Sequence, residues 1–393
     1  MRPAARVQTA IEMLDEIVAA ARTAGAPADR LVAEGFRQRR YAGSKDRRAV
    51  RQLVYDAIRA CGPVPQDGRA AMLRLAKLDP EIAALFDGSD YGPAKIGSGE
   101  KVAGGGIAPD WLVERLAESG IAGDGARALI DRAPLDVRVN TLKTSREAID
   151  LPEPGEPLAP PNALRFASGT PVERWDAYDN GLIEVQDAGS QVACLAVAAQ
   201  PGEVVIDLCA GAGGKTLALA AAMNDEGTLV AADTDRGRLD RIGARANRAG
   251  VEMGESVLLD PGQEAAALAQ YAGKADAVLV DAPCSGTGTW RRNPEARWRL
   301  KPRMLERHVA LQERLLDIAA TLVKPGGRVI HVVCSLLDAE GRDQAARFLE
   351  RHPDWRADTP DLPLGSRHGD GWRLTPLDDG TDGFFIARFV SAC

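Results

Sequence analysis

Along residues 1–86 the apolar positions recur at three- and four-residue spacing. Val7, Ala10, Ile11, Leu14, Ile17, Val18 and Ala21 form one stripe; Val50, Leu53, Val54, Ala57 and Ile58 form another behind Ser44, a candidate cap. Both predict amphipathic helices packed on a core. Residues 109–181 mix periods, with a helix expected around 111–116 and a strand around 137–142. From Gly202 onward the short apolar runs VVIDL, TLVAAD, SVLLD, AVLVDAP and RVIHVVCS alternate with helix-length segments. That rhythm predicts an α/β fold, a parallel sheet doubly wound with helices on both faces. The run GFFIARFV over 383–390 reads as a late strand adding an antiparallel edge.

Two composition breaks divide the chain. Residues 87–108 hold seven glycines in 22 positions and read as a flexible linker, and residues 151–161 hold five prolines in eleven and cannot be helix interior. The expected organisation is a helical domain over 1–86, a linker over 87–108, an α+β subdomain over 109–181 and a main α/β domain over 182–393. At 45% hydrophobic and 27% charged, the 393 residues exclude a mainly disordered chain. No apolar run reaches membrane-span length, no secretory segment opens the chain, and none of the six cysteines forms a CxxC pair, so zinc-ribbon spacing is absent. The reading is a monomer of a reducing cytoplasm, with no metal and no membrane partner.

The segment VVIDLCAGAGGKT, residues 204–216, runs from a buried strand into a glycine-rich turn and a helix, where a doubly wound sheet holds its ligand. A phosphate-gripping loop needs a glycine where Cys209 stands, although VLVDAP keeps a second NTPase-like feature. A dinucleotide fingerprint fails at Thr216. S-adenosylmethionine, with a ribose diol and no phosphate, fits better: Asp233 closes the second strand and suits the diol, while Asp260 closes the third and suits an adenine amine. The candidate cofactor residues are thus Cys209, Ala210, Gly211, Ala212, Gly213, Gly214, Lys215, Asp233, Asp260 and Asp281.

Two cysteines end neighbouring strands, Cys284 in DAPCSGTG and Cys334 in VVCS. Either alone is most simply a small buried hydrophobe. Two at one rim beside a methyl donor suit a pyrimidine reaction: a thiolate adding to carbon 6 of cytosine makes carbon 5 nucleophilic enough to take a methyl group. Asp281 is placed to hold ring nitrogen 3 and the exocyclic amine. A second thiol suits release of the adduct. Strand position does not rank the two thiols.

Residues 207–216, 281–288 and the strand ending in Cys334 and Ser335 resemble the methyl-donor, proline–cysteine and second-cysteine motifs of the RNA cytosine-5 methyltransferases, nearest the Sun family (Fmu or RsmB type). VQDAGS at 185–190, RRNP at 291–294 and GFFIA at 383–387 add to the resemblance, which covers residues 109–390. It implies a Rossmann-like methyltransferase domain preceded by a small α+β RNA-binding subdomain and a short NusB-like helical domain. It also implies Cys334 as nucleophile, Cys284 as release thiol, Asp281 and Lys215 as their catalytic companions, and ribosomal or transfer RNA as substrate. The sequence departs from the family at Gly211 and Ala212, at Val333, and over Asp338, Ala339, Glu340 and Gly341. An RNA-binding assembly factor that has lost catalysis is the alternative of another class; the retained cysteines and aspartates argue against it.

The net charge is −7, so RNA contact needs local basic patches. Residues 37–51 carry seven basic residues and one acid; residues 291–303 carry six and one, with Trp290 and Trp298 interleaved. The second run follows the proline–cysteine motif, so Arg291, Arg292, Arg297, Arg299 and Trp298 are the expected RNA contacts, phosphate-binding and base-stacking.

Overall fold

The computed structural model describes residues 1–23, 25–252 and 254–393. They form two compact units: residues 1–131 with 289–301, and residues 132–288 with 302–393.

In the first unit the helices Pro3–Thr23, Ala28–Gln38, Ser44–Ala60 and Gly68–Leu78 bury the two predicted stripes together, with Val7, Leu14, Ile17, Val50, Val54, Ile58 and Met72 in one core. Asp67 caps the fourth helix by accepting from Ala70 N at 2.7 Å. Ser44 is the first helical residue rather than the cap, which is Gly43.

The glycine-rich stretch is no free tether. Its Gly104 carbonyl accepts from Gly62 N, Ala103 N donates to Ala70 O, and Glu100 pairs with Arg69 at 2.9 Å. Backbone bonding of this kind fixes a segment whatever its glycine content. The first unit therefore runs on through the helices Asp110–Glu118 and Gly123–Ala128. The expected 109–181 subdomain is split, its first two helices in one unit, its strands and the short helix Asp176–Asp179 in the other.

Residues 289–301 complete the same helical core. Trp298 is buried in it and donates from Nε1 to Gly62 O at 3.1 Å; Trp290 is fully buried. Arg297, also fully buried, donates from Nη2 to Ile58 O and Cys61 O, both at 2.8 Å, one in the last turn of the helix Ser44–Ala60 and one at its cap residue. Burial lowers its pKa to about 10. Arg299 donates to Gly25 O and Ala26 O at 2.7 and 2.6 Å.

The second unit contains both sheets. A small antiparallel one has the order β2 (Glu156–Pro157), β3 (Ala163–Phe166), β1 (Leu135–Val139), β4 (Ile183–Val185). The large one contains β5 (Val204–Asp207), β6 (Thr228–Asp233), β7 (Glu255–Leu258), β8 (Ala275–Asp281), β9 (Val323–Val333), β10 (Trp355–Asp358), β11 (Ser366–His368), β12 (Gly371–Leu374) and β13 (Phe384–Ser391). Its order is β11-β12-β13-β9-β8-β5-β6-β7, with β10 on β13. Strands β5 to β9 are parallel. Successive residues Val205 and Ile206 are both fully buried, in separate apolar clusters, as a sheet covered on both faces requires.

The predicted late strand, β13, pairs antiparallel with β9, but it is interior rather than an edge: β12 and β10 cover its other side. The chain starts the large sheet at β5, moves out to β6 and β7, and returns to β8 on the opposite side of β5. The order therefore reverses between β5 and β8, which opens a crevice beyond their carboxyl ends.

Candidate active site

The loop after β5 is shaped by two left-handed glycines. Gly211 has φ +57° and Gly213 φ +83°, where any other residue is strained, and a Cβ on Gly213 would press on Ile242 at 3.1 Å. Gly211 N donates to Asp233 Oδ2 at 2.8 Å, Ala210 N to Ala232 O, and Ala212 O accepts from Arg245 at 2.6 Å. The second oxygen of Asp233 accepts from Asp235 N. Asp233 thus orders the turn it was expected to serve only from across the ligand. Cys209 sits half-buried on this loop, and burial pushes its thiol pKa up. Asp260 stands exposed, two residues past β7.

Asp207 ends β5 fully buried. Its Oδ2 accepts from Thr216 Oγ1 at 2.7 Å, and its Oδ1 has no partner among the described residues. Burial pushes its pKa up to about 7; the Thr216 hydroxyl opposes that rise and the Asp281 carboxylate adds to it. Lys215, in the first turn of the helix Gly214–Ala222, donates from Nζ to Asp281 Oδ2 at 2.6 Å. Burial works against its charge, yet Asp281 beside it leaves the pKa raised.

The two thiols meet. Cys284 Sγ lies 3.4 Å from Cys334 Sγ, each half-buried. The bond shared with Cys334, together with burial, pushes the Cys284 thiol pKa well up, so Cys284 stays protonated beside its partner. Below them the two loops are tied. Gly288 N donates to Cys334 O at 3.0 Å, and a Cβ on Gly288 would meet Gly383 O at 2.1 Å, an approach only glycine allows. The Glu340 carboxylate, fully buried, accepts from Ser285 N at 2.8 Å, from Ser335 Oγ at 2.6 Å and from the Ser285 hydroxyl.

Of the residues expected from sequence, the second unit brings together the glycine loop, Lys215, Asp233, Asp281 and the cysteine pair. It does not place the predicted RNA residues on a free surface. Arg297 and Trp298 are buried among helices of the first unit, Arg291 is buried, and Arg299 is spent on carbonyls. Arg297 and Arg299 spend their charge on carbonyls of the first unit, so this part of the run is a structural insert, while Arg292 is half-buried. Sequence reasoning misses Asp207 as a site residue, although a carboxylate at the carboxyl end of the first parallel strand is a signal for it. Glu340 enters that reasoning only within a stretch whose other residues depart from a motif.

Asp233 and Asp281 flank one loop, which suits a ligand bearing cationic sulfonium and ammonium groups and opposes a polyphosphate. Lys215, which a phosphate-gripping loop would send to its ligand, is tied to Asp281 instead. Fold and site together define an S-adenosylmethionine-dependent methyltransferase.

The family described as 16S rRNA methyltransferase RsmB/F matches residues 194–390. A probable ribosomal RNA small subunit methyltransferase B of Synechocystis sp. is 34% identical over 302 residues, 72% of this chain and 67% of that protein. Ribosomal RNA small subunit methyltransferase B of Erwinia tasmaniensis is 35% identical over 294 residues, 72% of this chain and 66% of that one. The chain therefore spans about two thirds of the length of these curated relatives. The crystal structure of PH0851 superposes with a TM-score of 0.74 at 25% identity, covering 98% of each chain. The chain belongs to the RsmB/F family of methyltransferases.

Proposed function

We propose that the chain methylates carbon 5 of a cytosine in RNA, with Cys334 as nucleophile and Cys284 as the neutral thiol that assists release. The observation carrying this reading is the 3.4 Å approach of the two sulfurs at the ends of neighbouring strands. S-adenosylmethionine, when bound, supplies an electrophilic methyl group; Asp207, Asp233 and the loop over residues 209–214 would hold it. The Cys334 thiolate forms a bond to carbon 6, and the ring electrons move to carbon 5, which takes the methyl group. Asp281, oriented by Lys215, accepts from the exocyclic amine and favours the addition. Loss of the carbon 5 proton to solvent then breaks the sulfur–carbon 6 bond, and the Cys284 thiol stabilises the departing Cys334 thiolate.

Relatives named for the small ribosomal subunit make its RNA the first substrate to try. The run over residues 37–51 is the better RNA-facing candidate, because Arg37, Arg40, Lys45, Arg47, Arg48 and Arg51 are exposed, as is Tyr41 at 72%. The test is to incubate the protein with labelled methyl donor and small-subunit RNA and to digest the product to nucleosides. Label in 5-methylcytidine is expected; label in another nucleoside, or none, overturns the reading.

A further inference from the structure

The serines that follow the two cysteines share one acceptor. Ser285 and Ser335 both donate their hydroxyls to Glu340 Oε2, and Ser285 N donates to Oε1 at 2.8 Å. Gln312, on the helix Pro302–Leu322, donates to the same Oε1 at 3.2 Å and to Pro283 O at 3.0 Å. The residues on both sides of Cys284 and the residue after Cys334 are thus fastened through one side chain and its neighbour. Thr287 adds a lateral tie, touching Ser335 Oγ at 3.2 Å and accepting from Leu336 N at 2.8 Å. Glu340 itself is held from behind: His331, fully buried and kept neutral by a pKa lowered to about 4, donates from Nε2 to its carbonyl at 2.9 Å.

Glu340 is fully buried, and among the described residues it has no ion-pair partner; its donors are two serines and a glutamine. Burying an unpaired carboxylate is costly, and a neutral apolar side chain would fill the space at less cost. What a carboxylate provides here is acceptor capacity: two oxygens take four bonds from three separate segments, the three from Ser285 and Ser335 short. Its carboxylate also lies near the thiols and is one of the lesser influences that raise the Cys284 pKa. The other charged or titratable groups about the pair are Asp281, Lys215 and His331.

We infer that Glu340 is the positioning residue of the cysteine pair, a buried clasp that holds the loop after β8 against the loop after β9 so that the two sulfurs stay within reach. This rests on the proposed chemistry only for its catalytic consequence; the geometric consequence belongs to the free protein.

Diamide, a thiol oxidant that takes two hydrogens from a pair of close thiols, reads the geometry directly, joining Cys284 to Cys334 and becoming the hydrazine. In wild type this cross-link, followed by mass spectrometry, forms fast. In Glu340→Ala it should slow by about tenfold or more, with a matching fall in methyl-transfer kcat and an unchanged KM for the methyl donor. Glu340→Gln keeps an acceptor for Ser285 N and can donate to hydroxyls free to turn, so cross-linking should recover. Its lost charge should leave Cys284 more reactive to iodoacetamide near neutral pH than in wild type. If Glu340→Ala does not fold, the double variant Ser285→Ala, Ser335→Ala carries the same test with the carboxylate in place. Wild-type cross-linking and kcat in a folded Glu340→Ala, or in that double variant, would overturn the inference. Slowed cross-linking in a protein whose wild type makes no 5-methylcytidine would uphold the clasp and remove the substrate reading instead.

Discussion

Lys215 Nζ and Asp281 Oδ2 lie 2.6 Å apart across 66 residues of chain, joining the first turn behind the glycine loop to the strand that ends at the proline–cysteine loop. The ion pair couples the cofactor side of the crevice to the thiol side. Lys215→Met removes the cation and leaves Asp281 without its partner, so a loss of about 1–3 kcal/mol in folding stability is expected. Methyl transfer should fall further than methyl-donor affinity, because Asp281 also loses its orientation. Urea melts and initial rates check this; an equal loss in affinity and rate would confine the pair to the cofactor.

Asp207 makes stability fall as pH rises. The native state keeps a proton on it up to about 7, whereas the unfolded chain releases it near 3.9. Between those values the native state binds more protons, and stability drops by about 2–4 kcal/mol across the window, then levels off. Asp207→Asn should lack that slope. Chemical melts of both proteins from pH 4 to 8 decide it, and parallel curves would count against the buried, unpartnered oxygen.

The thiols separate by what each variant leaves behind. Cys334→Ala should bind RNA and methyl donor but give no species surviving denaturation and no methylated product. Cys284→Ala should attack and methylate, then stall, so that a protein–RNA adduct accumulates on a denaturing gel. An adduct from Cys334→Ala alone would reverse the two roles.

The basic runs should respond differently. Neutralising Arg37, Arg40, Arg47 and Arg48 should weaken every RNA tested and flatten the salt dependence by about 0.7 in log–log slope for each phosphate no longer neutralised. Arg297→Ala should leave that slope alone and destabilise the protein by about 2–4 kcal/mol, since several buried carbonyls lose their donor. A shallower slope in Arg297→Ala, at a temperature where it is folded, would return the insert to RNA binding.

The strands and helices of the large sheet are legible in the sequence because each is a local pattern: a short apolar run closed by Asp207, Asp233 or Asp281, then a helix. The glycine turn and the two cysteines are legible for the same reason. What escapes depends on partners distant in sequence. Nothing local to Arg297 and Trp298 marks them as buried, since a charged, aromatic stretch reads as surface until the carbonyls of Ile58, Cys61 and Gly62 are brought to it. Glycines 104–106 look like a linker because composition reports conformational freedom, whereas here the backbone at Ala103 and Gly104 is bonded. Glu340 draws no notice because it stands in a stretch that departs from its motif, and its meaning lies in Ser285, 55 residues away.

The insertion of residues 289–301 into the helical unit bears on how the polypeptide is made and recombined. The core around Val7, Ile17 and Val54 lacks its Trp298 until the ribosome has passed residue 298, by which time β5 to β8 have been synthesised. The amino-terminal helices therefore cannot finish folding as an early, self-sufficient block during translation. A shuffled gene that exchanged only residues 1–131 would deliver helices without the tryptophan of their core and strand a basic, tryptophan-bearing peptide in the recipient. Inheritance of this helical unit requires two separate stretches of gene to move together.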